Sequence, residues 1–261
     1  MLAVLIIYCA LLGLIVGSFL NVVIYRMPRH LSIVRPRSAC PRCSEPIAPR
    51  DNIPVLSWII LRGRCRHCRE PISPRYPLIE LATAILFAGT AARVGYQADL
   101  PALLVLVAGL FALGVIDAEF LILPKRIVYV VLGLQVISLI AASFDHGQWH
   151  RLFVAAITGA IWFVFFFTMN AVSPRALGFG DVRLSLVLGF GLGWLGVEYA
   201  ILGFFVANLV GAVTGIALIM AKRMNRHQPI PYGVFLAVGA YVAVFAGPAL
   251  LAPFQNLQWH F

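Results

Sequence analysis

Leu100-Pro101-Ala102-Leu103-Leu104-Val105-Leu106-Val107-Ala108-Gly109-Leu110-Phe111-Ala112-Leu113-Gly114-Val115-Ile116-Asp117 is the stretch that decides what kind of protein this is. The run 100–116 carries no charge and then closes on a carboxylate. As a helix it approaches the thickness of the hydrocarbon layer of a bilayer. An aspartate at a helix centre in that layer costs roughly 2.5–3.5 kcal/mol, so a chain that keeps one at membrane depth generally has a use for it. A second aspartate stands in the same situation. Gly178-Phe179-Gly180-Asp181 comes just before the apolar run that begins at Leu184.

The composition around these two residues is that of a membrane protein. Hydrophobic residues make up 61% of the chain and charged ones only 11%, far from the balance of a soluble domain. Uncharged or nearly uncharged runs cover 2–25, 77–92, 100–116, 127–144, 152–172, 184–197, 199–221 and 234–253. Most reach the 17 to 25 residues of a spanning helix, and 184–197 is the short one. The net charge of +10 does not argue for a nucleic-acid partner, because the arginines flank apolar runs as cytoplasmic loops do. The segment 26–75 holds 11 Arg against Glu45, Asp51 and Glu70, which places it in the cytoplasm. With eight spans, the inner loops then also contain Lys125, Arg126, Arg175, Arg183, Lys222, Arg223 and Arg226, leaving only Arg93 and Arg151 outside. Fusing 184–221 into one helix would separate Lys222 from Arg183 across the membrane. The first run lacks a basic n-region and a small-residue cleavage site, so it reads as a retained span. The expectation is an all-α polytopic membrane protein with about eight transmembrane helices and both termini outside. Its parts are a first span over 1–25, a cytoplasmic zinc-ribbon-like loop over 26–76 and a seven-helix membrane domain over 77–261.

Four of the five cysteines form Cys40-Pro41-Arg42-Cys43 and Cys65-Arg66-His67-Cys68. Paired C-x-x-C turns aim two sulfurs each at one point, which suits tetrahedral thiolate coordination of zinc. Two disulfides or four free thiols are the alternatives, and a reducing compartment disfavours the disulfides. Four thiolates leave no open position, so such a metal is structural, holding a loop with little core of its own. Cys9, inside the first run, reads as an apolar packing residue.

Asp117 and Asp181 lie in loops assigned to the same side, and two carboxylates that meet can share a proton, one as base and one as acid. Other peptidase chemistries fit poorly. No His-Glu-x-x-His occurs, and the only lysines, Lys125 and Lys222, stand in loops. Asp181 alone could be a favourable anion at a helix start. Asp117 sits at a helix end, where an anion is unfavourable, although Lys125 or Arg126 could pair with it. Asp51, Asp99 and Asp145 read as solvated loop residues. Glu80, near the inner end of the second span, reads as a supporting residue, and Arg183 as a cation beside Asp181. Gly178 and Gly180 let backbone approach closely.

In this order the motifs resemble the type IV prepilin peptidase family over nearly the whole length. The resemblance rests on Gly17-Ser18-Phe19-Leu20-Asn21-Val22-Val23-Ile24-Tyr25-Arg26, both cysteine pairs around Asp51-Asn52-Ile53-Pro54-Val55-Leu56-Ser57-Trp58, and Arg75-Tyr76-Pro77-Leu78-Ile79-Glu80-Leu81. It continues in Asp117 with Leu123-Pro124, Gly178-Phe179-Gly180-Asp181 and Ile230-Pro231-Tyr232-Gly233-Val234-Phe235-Leu236-Ala237. Lys125 replaces the acidic residue that usually follows that proline, and Arg183 replaces a common lysine. The resemblance implies an aspartic endopeptidase of the bacterial inner membrane, with Asp117 and Asp181 catalytic. Its substrates would be prepilin or pseudopilin precursors, which lose a basic leader on the cytoplasmic side. The long cysteine-bearing loop further implies N-methylation of the new terminus with S-adenosylmethionine, although no glycine-rich nucleotide loop after a strand supports it here. Presenilin-like proteases share Gly-x-Gly-Asp and use a Pro-Ala-Leu motif. Pro248-Ala249-Leu250 falls at the outer end of the last span by the charge argument. A transporter or assembly scaffold with aspartates as ion ligands is the non-enzymatic alternative.

Overall fold

The computed structural model describes residues 1–174, 177–223 and 230–255. Arg175 and Arg226, both used in the charge argument, lie outside them. The described chain is helical: α1 Leu2–Arg26, α2 Leu56–Ile60, α3 Arg75–Val94, α4 Leu100–Phe120, α5 Lys125–His146, α6 Trp149–Val172, α7 Phe179–Leu195, α8 Val197–Met220 and α9 Tyr232–Gln255. Two isolated bridges, Ala39 with Pro46 and Arg64 with Pro71, are the only β pairing among the described residues. All the helices except α2 and α7 are long and apolar enough to cross a membrane, seven in number. The chain is therefore an all-α multi-pass membrane protein, as its apolar runs indicate.

Helix α7 has 17 residues, about 26 Å of rise, and it is the shortest of the eight long helices. It packs against α4, α5, α6, α8 and α9, and most of its side chains from Val182 to Trp194 are buried. A helix ringed by protein has its ends sheltered by neighbours rather than lipid, so it can be short. Gly196, at φ +146°, breaks the chain between α7 and α8. The division inferred from Lys222 and Arg183 is thus a real helix boundary.

The chain forms two compact units, Met1–Tyr96 and Gln97–Phe261. In the first, α1 lies directly on α3. A Cβ on Gly13 would come 2.7 Å from the Ala84 Cα, and one on Gly17 2.7 Å from the Glu80 Cα. This Gly13-x-x-x-Gly17 seam is the small-residue spacing that lets apolar helices approach where lipid supplies no hydrophobic drive. The second unit repeats the device: a Cβ on Gly189 of α7 would meet the Gly159 Cα of α6 at 2.8 Å. The hydroxyl of Tyr241 on α9 donates to the Val107 carbonyl of α4 at 3.0 Å.

Candidate active site

Three helix ends of the second unit converge at one end of its bundle, and Leu123 shows it. This residue follows α4 by three positions. A Cβ built on Gly180 at the start of α7 would touch the Leu123 Cβ at 3.0 Å, and one on Gly233 at the start of α9 would touch its Cδ2 at 3.1 Å. Leu123 therefore fills the space that two absent side chains leave. The ends of α4, α7 and α9 meet around it.

Asp117 lies in the last turn of α4 and is 5% exposed. The backbone amides of Gly233 and Val234 face its carboxylate. A Cβ on Gly233 would stand 2.9 Å from Oδ2, and that oxygen is buried without a hydrogen-bond partner in the protein. Asp181 is the third residue of α7. Its Oδ2 accepts from the Gly178 amide at 3.2 Å, and its own amide donates to the Gly178 carbonyl at 3.0 Å. The carboxylate thus caps the start of α7, and the second bond is a main-chain turn bond. Both aspartates stand at this end of the bundle, Asp117 against Gly233 and Asp181 next to Gly180, and both glycines pack on Leu123. Such an arrangement can hold one proton between two carboxyls and activate a water against a carbonyl carbon.

Gly178 and Gly180 stand at the site as backbone, the first as amide donor and the second as the seat of Leu123. Arg183 is placed differently from expectation. Its guanidinium lies 4.5 Å from the centre of the Phe179 ring, and its Nε is buried without a partner. Glu80 belongs to the first unit. It is buried, and its Oε2 accepts from the Val55 amide at 2.7 Å.

Asp99 corrects the reading of a solvated loop residue. Its Oδ2 accepts from the Trp194 indole at 2.8 Å and its Oδ1 is buried. Tyr232 and Asn208 had no assigned role in the sequence. The Tyr232 hydroxyl donates to Asn208 Oδ1 at 3.3 Å, and the phenol lies within the field of Asp181. Its position beside Gly233 in Pro231-Tyr232-Gly233 was the signal available. Pro248 is sixteen residues beyond Tyr232 on α9, about 24 Å along the helix, so the Pro-Ala-Leu tripeptide is far from this end.

In the first unit the Sγ atoms of Cys40, Cys43, Cys65 and Cys68 lie within 4.8 Å of one another. Cys40 and Cys68 are 3.7 Å apart, too far for a disulfide. Sulfurs about 2.3 Å from a tetrahedral zinc would be about 3.8 Å apart. The donor set and its spacing therefore fit that metal. Amides of Cys43 and Arg42 pull the Cys40 thiol down to about 6. Although the Glu70 amide favours its thiolate, desolvation and the other three sulfurs push Cys68 up to about 12. Four thiols at this spacing resist full ionisation unless a cation joins them. Arg66 on the second turn grips Asp51 through Nε at 2.8 Å and through its Nη2, and it holds that carboxyl below the usual range.

Fold and site together define a class: a polytopic membrane protein with a carboxylate pair at one end of its helix bundle and a four-cysteine module in its other unit. Comparison with known proteins agrees. Residues 11–94 match the bacterial peptidase A24 N-terminal domain, and residues 104–216 match the type IV leader peptidase family. A prepilin leader peptidase/N-methyltransferase of Bacillus subtilis is 34% identical over 92% of this chain and 94% of its own. One from Pseudomonas aeruginosa is 34% identical over 91% and 89%. One from Myxococcus xanthus is 44% identical over 82% of this chain and 63% of its own. No solved structure matches. The chain belongs to the type IV leader peptidase family and is a peptidase.

Proposed function

We propose that the protein is an aspartic endopeptidase of the bacterial inner membrane. It removes the basic leader from prepilin or pseudopilin precursors at the cytoplasmic face, with both of its own termini outside. The observation that carries this is the convergence of Asp117, Asp181 and the Gly233 amide around Leu123. Asp181, capped by Gly178, and Asp117, facing the amides of Gly233 and Val234, share one proton. The ionised partner takes a proton from water as it attacks the scissile carbonyl, and the protonated partner donates to the carbonyl oxygen. Cytoplasmic cleavage follows from charge. The first turns of α5 and α7 at this end carry Lys125, Arg126 and Arg183, and basic residues flanking spans favour the cytoplasmic side.

Cys40, Cys43, Cys65 and Cys68 would hold a structural zinc that stabilises the loop between α1 and α3. The names of the relatives pair the peptidase with an N-methyltransferase, and we extend that second activity to this chain, with S-adenosylmethionine as methyl donor. No strand–glycine-loop–helix unit of the kind that holds nucleotide-bearing donors occurs among the described residues, so no residue is assigned to that step. The test is to incubate the purified protein with a prepilin-like precursor and read the product by mass spectrometry. A new N-terminus just past the basic leader supports the proposal. An intact precursor beside folded protein overturns it.

A further inference from the structure

The short helix α2 is built inside out for a segment in water. Leu56, Ile59 and Ile60 share one face by their i, i+3, i+4 spacing, and they are 49%, 59% and 64% exposed. The polar Ser57 is the residue turned inward. It is buried, its Oγ donates to the Arg50 carbonyl at 3.1 Å, and it accepts from the Ile53 amide at 3.1 Å. Three exposed branched apolar side chains over a buried serine need an apolar neighbour.

The depth of α2 says which neighbour. The Val55 amide, just before the helix, donates to Glu80 Oε2. Glu80 is five residues into the spanning helix α3 from Arg75, about 7.5 Å along its axis. The Trp58 indole donates to the Ile72 carbonyl at 3.0 Å, and the Ile72 amide to the Gly63 carbonyl at 2.7 Å. The first bond ties Val55 to the second turn of α3, and the other two close residues 58–72 on themselves just before that helix. The headgroup layer on each side of a bilayer is about 5–8 Å deep, so with α3 entering the bilayer through its first turns, a helix tied to Glu80 falls at that level. Arg62 and Arg64 follow α2 directly and both are exposed. Apolar side chains flanked by arginines at this depth complement an anionic lipid surface.

We propose that α2 is an interfacial anchor: Leu56, Ile59 and Ile60 enter the lipid, and Arg62 and Arg64 hold anionic phospholipid headgroups, which seats the cysteine module on the membrane surface. The proposal rests on the first unit alone and stands apart from the aspartate chemistry.

The test uses the full chain in nanodiscs of phosphatidylcholine with a minor fraction of phosphatidylglycerol, with Ile60 replaced by photoreactive p-benzoyl-phenylalanine. Illumination should give lipid adducts detectable by mass spectrometry. Phosphatidylglycerol should be enriched over its share of the lipid by up to about five-fold per arginine. Combining Arg62→Gln with Arg64→Gln should return the ratio toward that share while adducts persist, and Ile59→Asp should reduce adduct yield several-fold. Bound metal measured in each variant reports that the module is still folded. Absence of lipid adducts, or lipid adducts with no headgroup preference, overturns the proposal. Adducts to protein that appear only when a precursor is added would assign the face to substrate instead and overturn it equally.

Discussion

Gly233→Ala probes the site through a single methyl group. The new Cβ would stand 2.9 Å from Asp117 Oδ2, 3.1 Å from Leu123 Cδ2 and 3.2 Å from Asp117 Cγ. Ordinary contact lies several tenths of an ångström further out, so the carboxylate, on a short side chain that is 5% exposed, must rotate or retreat by about half an ångström. Misplacement by about 1 Å at a reacting group can cost about 100-fold. The expected loss in kcat/KM is therefore between about 10-fold and 100-fold. Stability should change far less. Overpacking costs about 1–3 kcal/mol, and alanine recovers up to about 1 kcal/mol over glycine in a helix, for a net fall of no more than about 2 kcal/mol. Gly114→Ala is the control, because its Cβ would meet nothing closer than the Ala237 Cβ at 3.7 Å. The assay is precursor cleavage at several substrate concentrations beside thermal unfolding of the same preparations. Wild-type kcat/KM in Gly233→Ala, or an equal loss in both variants, would refute the placement of Gly233 against the Asp117 carboxylate.

Cys40→Ser should remove zinc from the purified protein and expose segment 26–75 to protease. Elemental analysis that finds no zinc in the unaltered protein would sink the metal reading. Glu80→Ala strips the Val55 amide of its acceptor, so trypsin should cut at Arg62 or Arg64 several-fold faster, and an unchanged rate would discard that tie. Trp194→Phe leaves the half-buried Asp99 carboxylate without its indole donor. It should destabilise the fold by about 1–3 kcal/mol with kcat per folded molecule unchanged, and unaltered melting would argue that Asp99 is hydrated after all.

Much of the architecture was legible because a spanning helix must announce itself in run length. Positions 2–25 against Leu2–Arg26 and 234–253 against Tyr232–Gln255 differ by no more than two residues at any end. Helix α7 was less legible. Its apolar run starts at Leu184, yet the helix starts at Phe179, because the Gly178 amide and the Asp181 carboxylate cap a polar first turn. The aspartate pair could be read from two carboxylates at membrane depth near basic loops. What could not be read was which distant partner each polar residue finds. Trp194 lies 95 positions from Asp99, and no local pattern joins them. Gln135 is 1% exposed on α5, packed where Gly191 lacks a side chain, and the sequence shows only a polar residue in an apolar run. Arg183 has an aromatic ring four residues before it, and the cation lies over that ring rather than beside the carboxylate two residues away.

The central claim is that Asp117 and Asp181 act as one unit, and single-residue isosteres test it most directly. Asp117→Asn and Asp181→Asn each keep the shape of the side chain while removing its capacity to share a proton. Both should insert into the membrane and unfold as the parent does, and each should lose cleavage of a prepilin-like precursor by at least about 100-fold to 10,000-fold, the range of a general acid or base. Asp145→Asn should cleave normally. Turnover within a few-fold of the parent in either Asp117→Asn or Asp181→Asn, measured by the appearance of the mature N-terminus, would contradict the account.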